Sequence, residues 1–143
     1  MKFTEFEPYL RQVLDLEFGD RNHEIQANST RLKQEMSARE MLNSTIALGN
    51  LAEFLFVEFK ARCSLVAEYI VGKLAVLKPT DGSDKTSDGV PIFRSIVTDQ
   101  LAHIERIYDS IAGPIAASLQ SGMPTEIRRD LIQRMNDCMK RPN

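Results

Sequence analysis

Residues 24–78 contain no proline, and apolar residues recur there at the three-to-four-residue spacing of a helix face. The upstream segment reads as a first helix over residues 5–18. Thr4 and Glu7 have capping-box spacing, and Pro8 fits a first turn. Phe6, Leu10, Val13, Leu14 and Phe18 make one apolar stripe. Gly19 can adopt the left-handed conformation that ends a helix, after which Asp20 or Asn22 can cap the next one.

The second helix is the long run. Its first half is mostly polar, with Ile25, Leu32, Met36, Met41 and Leu42 on one side. Arg31, Glu35 and Arg39 stand four apart and read as an ion ladder on a solvated face. From Ile46 to Phe59, ten of fourteen residues are apolar and point all round the helix. Cys63, Val66, Ile70, Leu74 and Leu77 return to a narrow stripe, and Pro79 stops it. A rod over 21–78 would be about 87 Å long. A compact chain of this size has a radius of gyration of only about 14–15 Å. The run therefore bends or breaks, with Asn28–Thr30, Ser37–Glu40 and Gly49–Asn50 as the weak points.

Residues 79–91 read as a flexible polar loop. A third helix follows over 92–120, with the stripe Phe93, Val97, Leu101, Ile104, Tyr108, Ile111 and Ile115. Pro114 is expected to kink or split it after Gly113. A fourth begins near Pro124 with the seam Ile127, Leu131, Met135 and Cys138. The pattern predicts an all-α fold, a bundle of four to five helices with one long, possibly bent central helix. The 143 residues are read as a single helical domain.

Composition narrows the class. With 43% hydrophobic and 27% charged residues the chain resembles an ordinary globular protein. A formal charge of −2 supplies no global attraction to nucleic acid or to an anionic membrane. The two cysteines, Cys63 and Cys138, have neither metal-type nor redox-type spacing. The first residues carry Glu5 and Glu7 where a signal peptide needs an apolar run, so a cytoplasmic location is expected. No segment reaches the length of uncharged residues a membrane span needs.

Candidate chemistry is sparse. Asp84, Thr86 and Asp88, followed by Gly89, match the opening of a calcium loop. Pro91 and Ser95 then fall where further ligands belong, and a solvated turn explains the residues as well. Asp20 precedes His23 by three and Asp99 precedes His103 by four. If the helices met at those points, the four could hold a metal or form an acid–base pair. The competing reading is an ordinary boundary histidine bonded to Asp99. Arg128, Arg129, Arg134, Lys140 and Arg141 face three acids in the last segment, too small a surplus for a nucleic-acid helix. Met36, Met41, Met123, Met135 and Met139 fit gap-filling core better than a binding groove.

No nucleophile motif or phosphate loop occurs. The resulting expectation is a non-enzymatic protein acting by protein–protein interaction and self-association as a homodimer. The interface would centre on Leu48, Leu51, Leu55, Phe56 and Phe59, because the all-round apolar stretch needs cover. No cofactor, membrane or nucleic-acid partner is expected. The alternative is a small metal- or ligand-binding helical protein using His23, His103, Asp20 and Asp99.

Overall fold

The computed structural model describes residues 6–38, 45–76, 86–117 and 122–140. Four helices account for nearly all of them: α1 (Phe6–Ala38), α2 (Thr45–Val76), α3 (Thr86–Ala117) and α4 (Met123–Lys140). Among the described residues there is no strand, so the fold is all-α. Three helices have 33, 32 and 32 residues and each runs about 50 Å. At 18 residues, α4 is about half as long.

Side-chain pairs give the topology. Glu17 meets Tyr69 and Arg21 meets Glu58, so α1 and α2 are antiparallel. Arg62 meets Gln100, while Leu51 shares a crevice with Ile115, so α2 and α3 are antiparallel. Thr98 meets Met139 and Asp109 meets Arg128, so α4 returns antiparallel to α3. The result is an up-down-up-down bundle. Its closest pair is α2 with α3; α4 packs against both, and α1 leans mainly on α2.

The run over 24–78, expected to bend or break, is divided between α1 and the antiparallel α2, and neither is a single central rod. The weak point at Ser37–Glu40 lies nearest the end of α1; residues 39–44 lie outside the described set. Gly19 does not end a helix. The chain stays helical through it because Phe6, Leu10, Leu14 and Phe18 continue on the same face into Ile25 and Ser29. Burial of that seam outweighs the weak helix propensity of one glycine, about 1 kcal/mol.

The expected polar loop is shorter than the sequence suggested. Thr86 to Pro91 already belong to α3. Pro114 also lies within α3, which reaches Ala117 instead of splitting after Gly113. Both prolines sit within two turns of a helix end, where few backbone bonds depend on them. The α3 stripe stands as expected. Phe93, Val97, Ile104, Tyr108 and Ile115 are buried, and Leu101 and Ile111 pack against them. The α4 seam does too, with Leu131 and Met135 buried and Ile127 and Cys138 packed on the core.

The core is one contiguous cluster fed by all four helices. In the all-round apolar stretch, Leu48, Leu51, Leu55, Phe56 and Phe59 lie inside it. Of the large apolar side chains in that stretch, only Ile46 and Val57 are strongly exposed. Within the chain, α1 and α3 meet this stretch around Leu51 and α4 meets it at Phe56. Arg134 stacks over Phe56 at 4.0 Å and donates to Glu53 at 2.8 Å, fixing α4 to α2.

Gly19 gives a direct check on the continuous α1. A Cβ added there meets nothing within 4 Å, and its backbone is not left-handed. Gly19→Ala should raise stability by about 0.5–1 kcal/mol in urea unfolding. A left-handed helix terminus at this position would produce a loss instead.

Candidate functional site

Stripe positions in three helices are filled by polar residues at one level of the bundle. On α2 the buried series Leu55, Phe59, Val66 and Ile70 is interrupted by Arg62, which is 0% exposed. On α1, Arg21 and Asn22 fall between Phe18 and Ile25. On α3, Gln100 and His103 fall between Val97 and Ile104. Buried polar groups need partners, so the three sets converge.

Glu58 is the hub. It accepts two hydrogen bonds from Arg21, each 2.9 Å, and one from Arg62 Nε at 2.7 Å. Arg62 Nη1 donates to Gln100 at 2.7 Å, and its guanidinium lies over the Phe18 ring at 5.8 Å. Burial pulls the Arg62 pKa down and the Glu58 bond pushes it back up. The group remains a cation at neutral pH. One carboxylate thus answers two guanidiniums. Arg62 Nη2, Asn22 Oδ1, Ser29 Oγ and His103 Nε2 are buried without a hydrogen-bond partner among the described residues.

Two of those four atoms belong to residues lining a groove between α1 and α3. Its volume is about 350 Å³, within the range of small-ligand sites. From α1 come Gln26, Ser29, Thr30 and Lys33. From α3 come His103, Arg106 and Ser110, with Ile107 and Ile111 as an apolar wall. The α1 set has helical spacing, so these side chains share one face. Thr30 donates its hydroxyl to the Gln26 carbonyl at 3.0 Å. Ser29 is 3% exposed, and its hydroxyl stays unmatched.

Among the described residues no carboxylate lines the groove. The neighbouring acids are engaged elsewhere. Asp99 accepts from Arg11 at 2.7 Å, and Glu105 and Asp109 both accept from Arg128. His103 sits in a positive field. Burial lowers its pKa most, followed by Arg62 and Arg106.

The residues singled out from sequence are dispersed. His23 and Asp20 are exposed on α1, Asp99 is tied to Arg11, and only His103 lies in the groove. Among the described residues no group of three or more His, Cys, Asp or Glu could hold a metal ion. Asp84 lies outside the described residues. Thr86 and Asp88 are in the first turn of α3, whose helical backbone does not wrap a cation as a calcium loop does. Of the methionines, Met135 is buried core, Met139 packs on it and Met123 is exposed; Met41 lies outside the described residues. Two basic residues of α4 serve the bundle: Arg128 binds α3 and Arg134 binds α2.

Both cysteines are free. Burial pushes the Cys63 thiol up to about 12, with a smaller contribution from Cys138 across the α2–α4 contact. Among the described residues no helix is long and apolar enough to cross a membrane.

Sequence reasoning missed Arg62, Glu58, Ser29, Lys33 and Arg106. For Arg62 the signal was present, as a charge in a stripe position. For the groove residues it was not, because each looks like solvated helix surface.

Two measurements follow from the polar layer. Glu58→Gln leaves a buried guanidinium without its countercharge and should cost on the order of 3–5 kcal/mol in urea unfolding. Arg62→Met removes the charge at similar volume and should cost much less. The reverse order would show that Arg62 is stabilised mainly by groups other than Glu58.

His103 sets a pH dependence. Its folded pKa lies below 6.5 while the unfolded chain takes up a proton at about 6.5. Between those two values the unfolded state binds more protons, so stability rises with pH. The contribution is complete above about 6.5 and is lost as pH falls towards the folded value. Stability measured from pH 4.5 to 8 should show this slope, and His103→Gln should flatten it.

Comparison of the chain with protein-family models, curated proteins and solved structures finds no match.

Proposed function

We propose that this protein is a non-enzymatic helical binding protein whose α1–α3 groove receives a small molecule. The observation that carries this reading is the pair of buried polar atoms, Ser29 Oγ and His103 Nε2, on residues lining the same groove. An unmatched buried donor or acceptor costs about 1–3 kcal/mol, which a ligand that reached either atom from the groove would offset. The comparable depression of about 360 Å³ beside Glu68, Tyr69, Gly72 and Lys73 is lined, among the described residues, by α2 alone and by no buried side chain. It lacks the feature that sets the groove apart.

Of the two readings drawn from sequence, this keeps the ligand-binding one with His103 as its centre and without Asp20, Asp99 and His23. Self-association through residues 46–59 has less support, since Ile46 and Val57 are the strongly exposed apolar positions left there.

The reading is tested with a thermal-shift screen of polar small molecules on the wild type and on Ser110→Phe, which fills the groove from its exposed rim. A ligand at 100 times its Kd should stabilise the wild type by about 2.7 kcal/mol and leave Ser110→Phe unchanged. Ligands that stabilise both proteins equally, or no ligand for the wild type, would remove the groove from consideration.

A further inference from the structure

We propose that the groove is an anion site, and that its ligand is a small phosphate-bearing molecule held by Lys33, Arg106, Ser29 and His103. This rests on the ligand-binding reading and adds the class of ligand.

Charge comes first. Lys33 and Arg106 approach the groove from opposite walls, and among the described residues no carboxylate lines it. Among the described residues neither cation is ion-paired, whereas Arg11, Arg21, Arg62, Arg128 and Arg134 all are. Directly behind lies the polar layer, where Arg21 and Arg62 share the single Glu58. The whole chain carries −2, yet this region has a surplus of positive charge. A dianion answers two free cations and an unneutralised layer better than a neutral solute does.

Donors come second. Ser29 is only 3% exposed, and among the described residues its buried hydroxyl has no partner. His103 presents Nε2 in the same condition, and a neutral imidazole protonated at Nε2 donates. Gln26 and Ser110 add an amide and a hydroxyl at the rim. Hydroxyl, imidazole, ammonium and guanidinium donors on two facing helices match an oxyanion with several acceptor oxygens.

Size limits the rest of the ligand. Beneath Ser29 and Lys33 the groove narrows to an apolar crevice between Leu51 and Ile115 of about 10 Å³. That is at or below the room one water needs, so no aliphatic tail enters there. With no apolar recess to fill, the site suits inorganic phosphate itself or a small phosphomonoester.

The test is a titration of the intact protein with inorganic phosphate, and separately with glycerol phosphate, at constant ionic strength. Binding is followed by the imidazole NMR signals. His103 should shift saturably, while the exposed His23 serves as an internal control and should not. Arg106→Gln and Ser29→Ala should each weaken binding about tenfold or more, the loss expected for one charge-assisted or buried hydrogen bond. Arg129→Gln, exposed on α4, should leave it unchanged. Circular dichroism of each variant confirms that it is folded. Tighter binding of glycerol phosphate assigns the ligand as an ester; equal or weaker binding assigns the free ion. Equal, unsaturable shifts at both histidines would overturn the anion site. So would saturable His103 shifts with neutral polyols and none with phosphate, in which case the groove would still bind a ligand of another class. If neither probe moves His103 and the thermal screen yields nothing, both readings fall.

Discussion

A fully buried arginine sets the depth at which three helices meet. The guanidinium of Arg62 is tolerated in the core only where its donors reach acceptors. Those acceptors come from Glu58 on its own helix and Gln100 on α3, while Phe18 of α1 offers a ring face. Glu58 is in turn bonded to Arg21 of α1. Apolar stripes of similar residues could slide past one another by a turn, because leucine and isoleucine repeat every three or four positions. A polar layer cannot. Moving α3 by one turn, about 5.4 Å, would take the Gln100 acceptor from Arg62, and moving α1 would take Arg21 from Glu58. The register of the three long helices follows from this one position.

That register also makes the groove. α1 rests mainly on α2, while α3 is drawn tightly to α2 and is covered on its other side by α4. α1 and α3 therefore share a neighbour without closing on each other along their whole length. Where they diverge past the polar layer, the chain places Ser29, Lys33, Arg106 and Ser110 rather than leucine. The same half of the bundle packs Phe56 under Arg134 of α4 and leaves a polar cleft between α1 and α3 above Leu51.

How much of this was legible depends on the kind of signal. Helical class, the α3 stripe and the α4 seam follow from periodicity, which a single helix carries in its own sequence. The course of α1 was misread at Gly19 because glycine is a local signal, and the seam from Phe6 to Ser29 outweighs it. The apolar stretch 46–59 was read as needing a second copy. A two-sided apolar helix says only that it is covered twice, and within the chain the short α4 meets it at Phe56. Arg62 was readable in principle, since a charge in the series Leu55, Phe59, Val66, Ile70 breaks the pattern. Its partners were not, because pairing Arg62 with Gln100 requires knowing how two antiparallel helices are aligned.

The groove was the least legible part. Ser29 and Lys33 look like solvated helix surface, and so does Arg106. Only their convergence across α1 and α3 gives them meaning, and that convergence depends on the polar layer. Net charge points the wrong way, since −2 over the whole chain suggests indifference to anions. The sum conceals a division of labour among the acids. Glu58, Asp99, Glu105 and Asp109 are spent on Arg21, Arg62, Arg11 and Arg128, which tie helices together. What those pairings leave uncompensated is the positive charge of Lys33 and Arg106 beside a layer with two guanidiniums and one carboxylate. Local potential is set by which charges the fold has paired, not by how many the sequence contains.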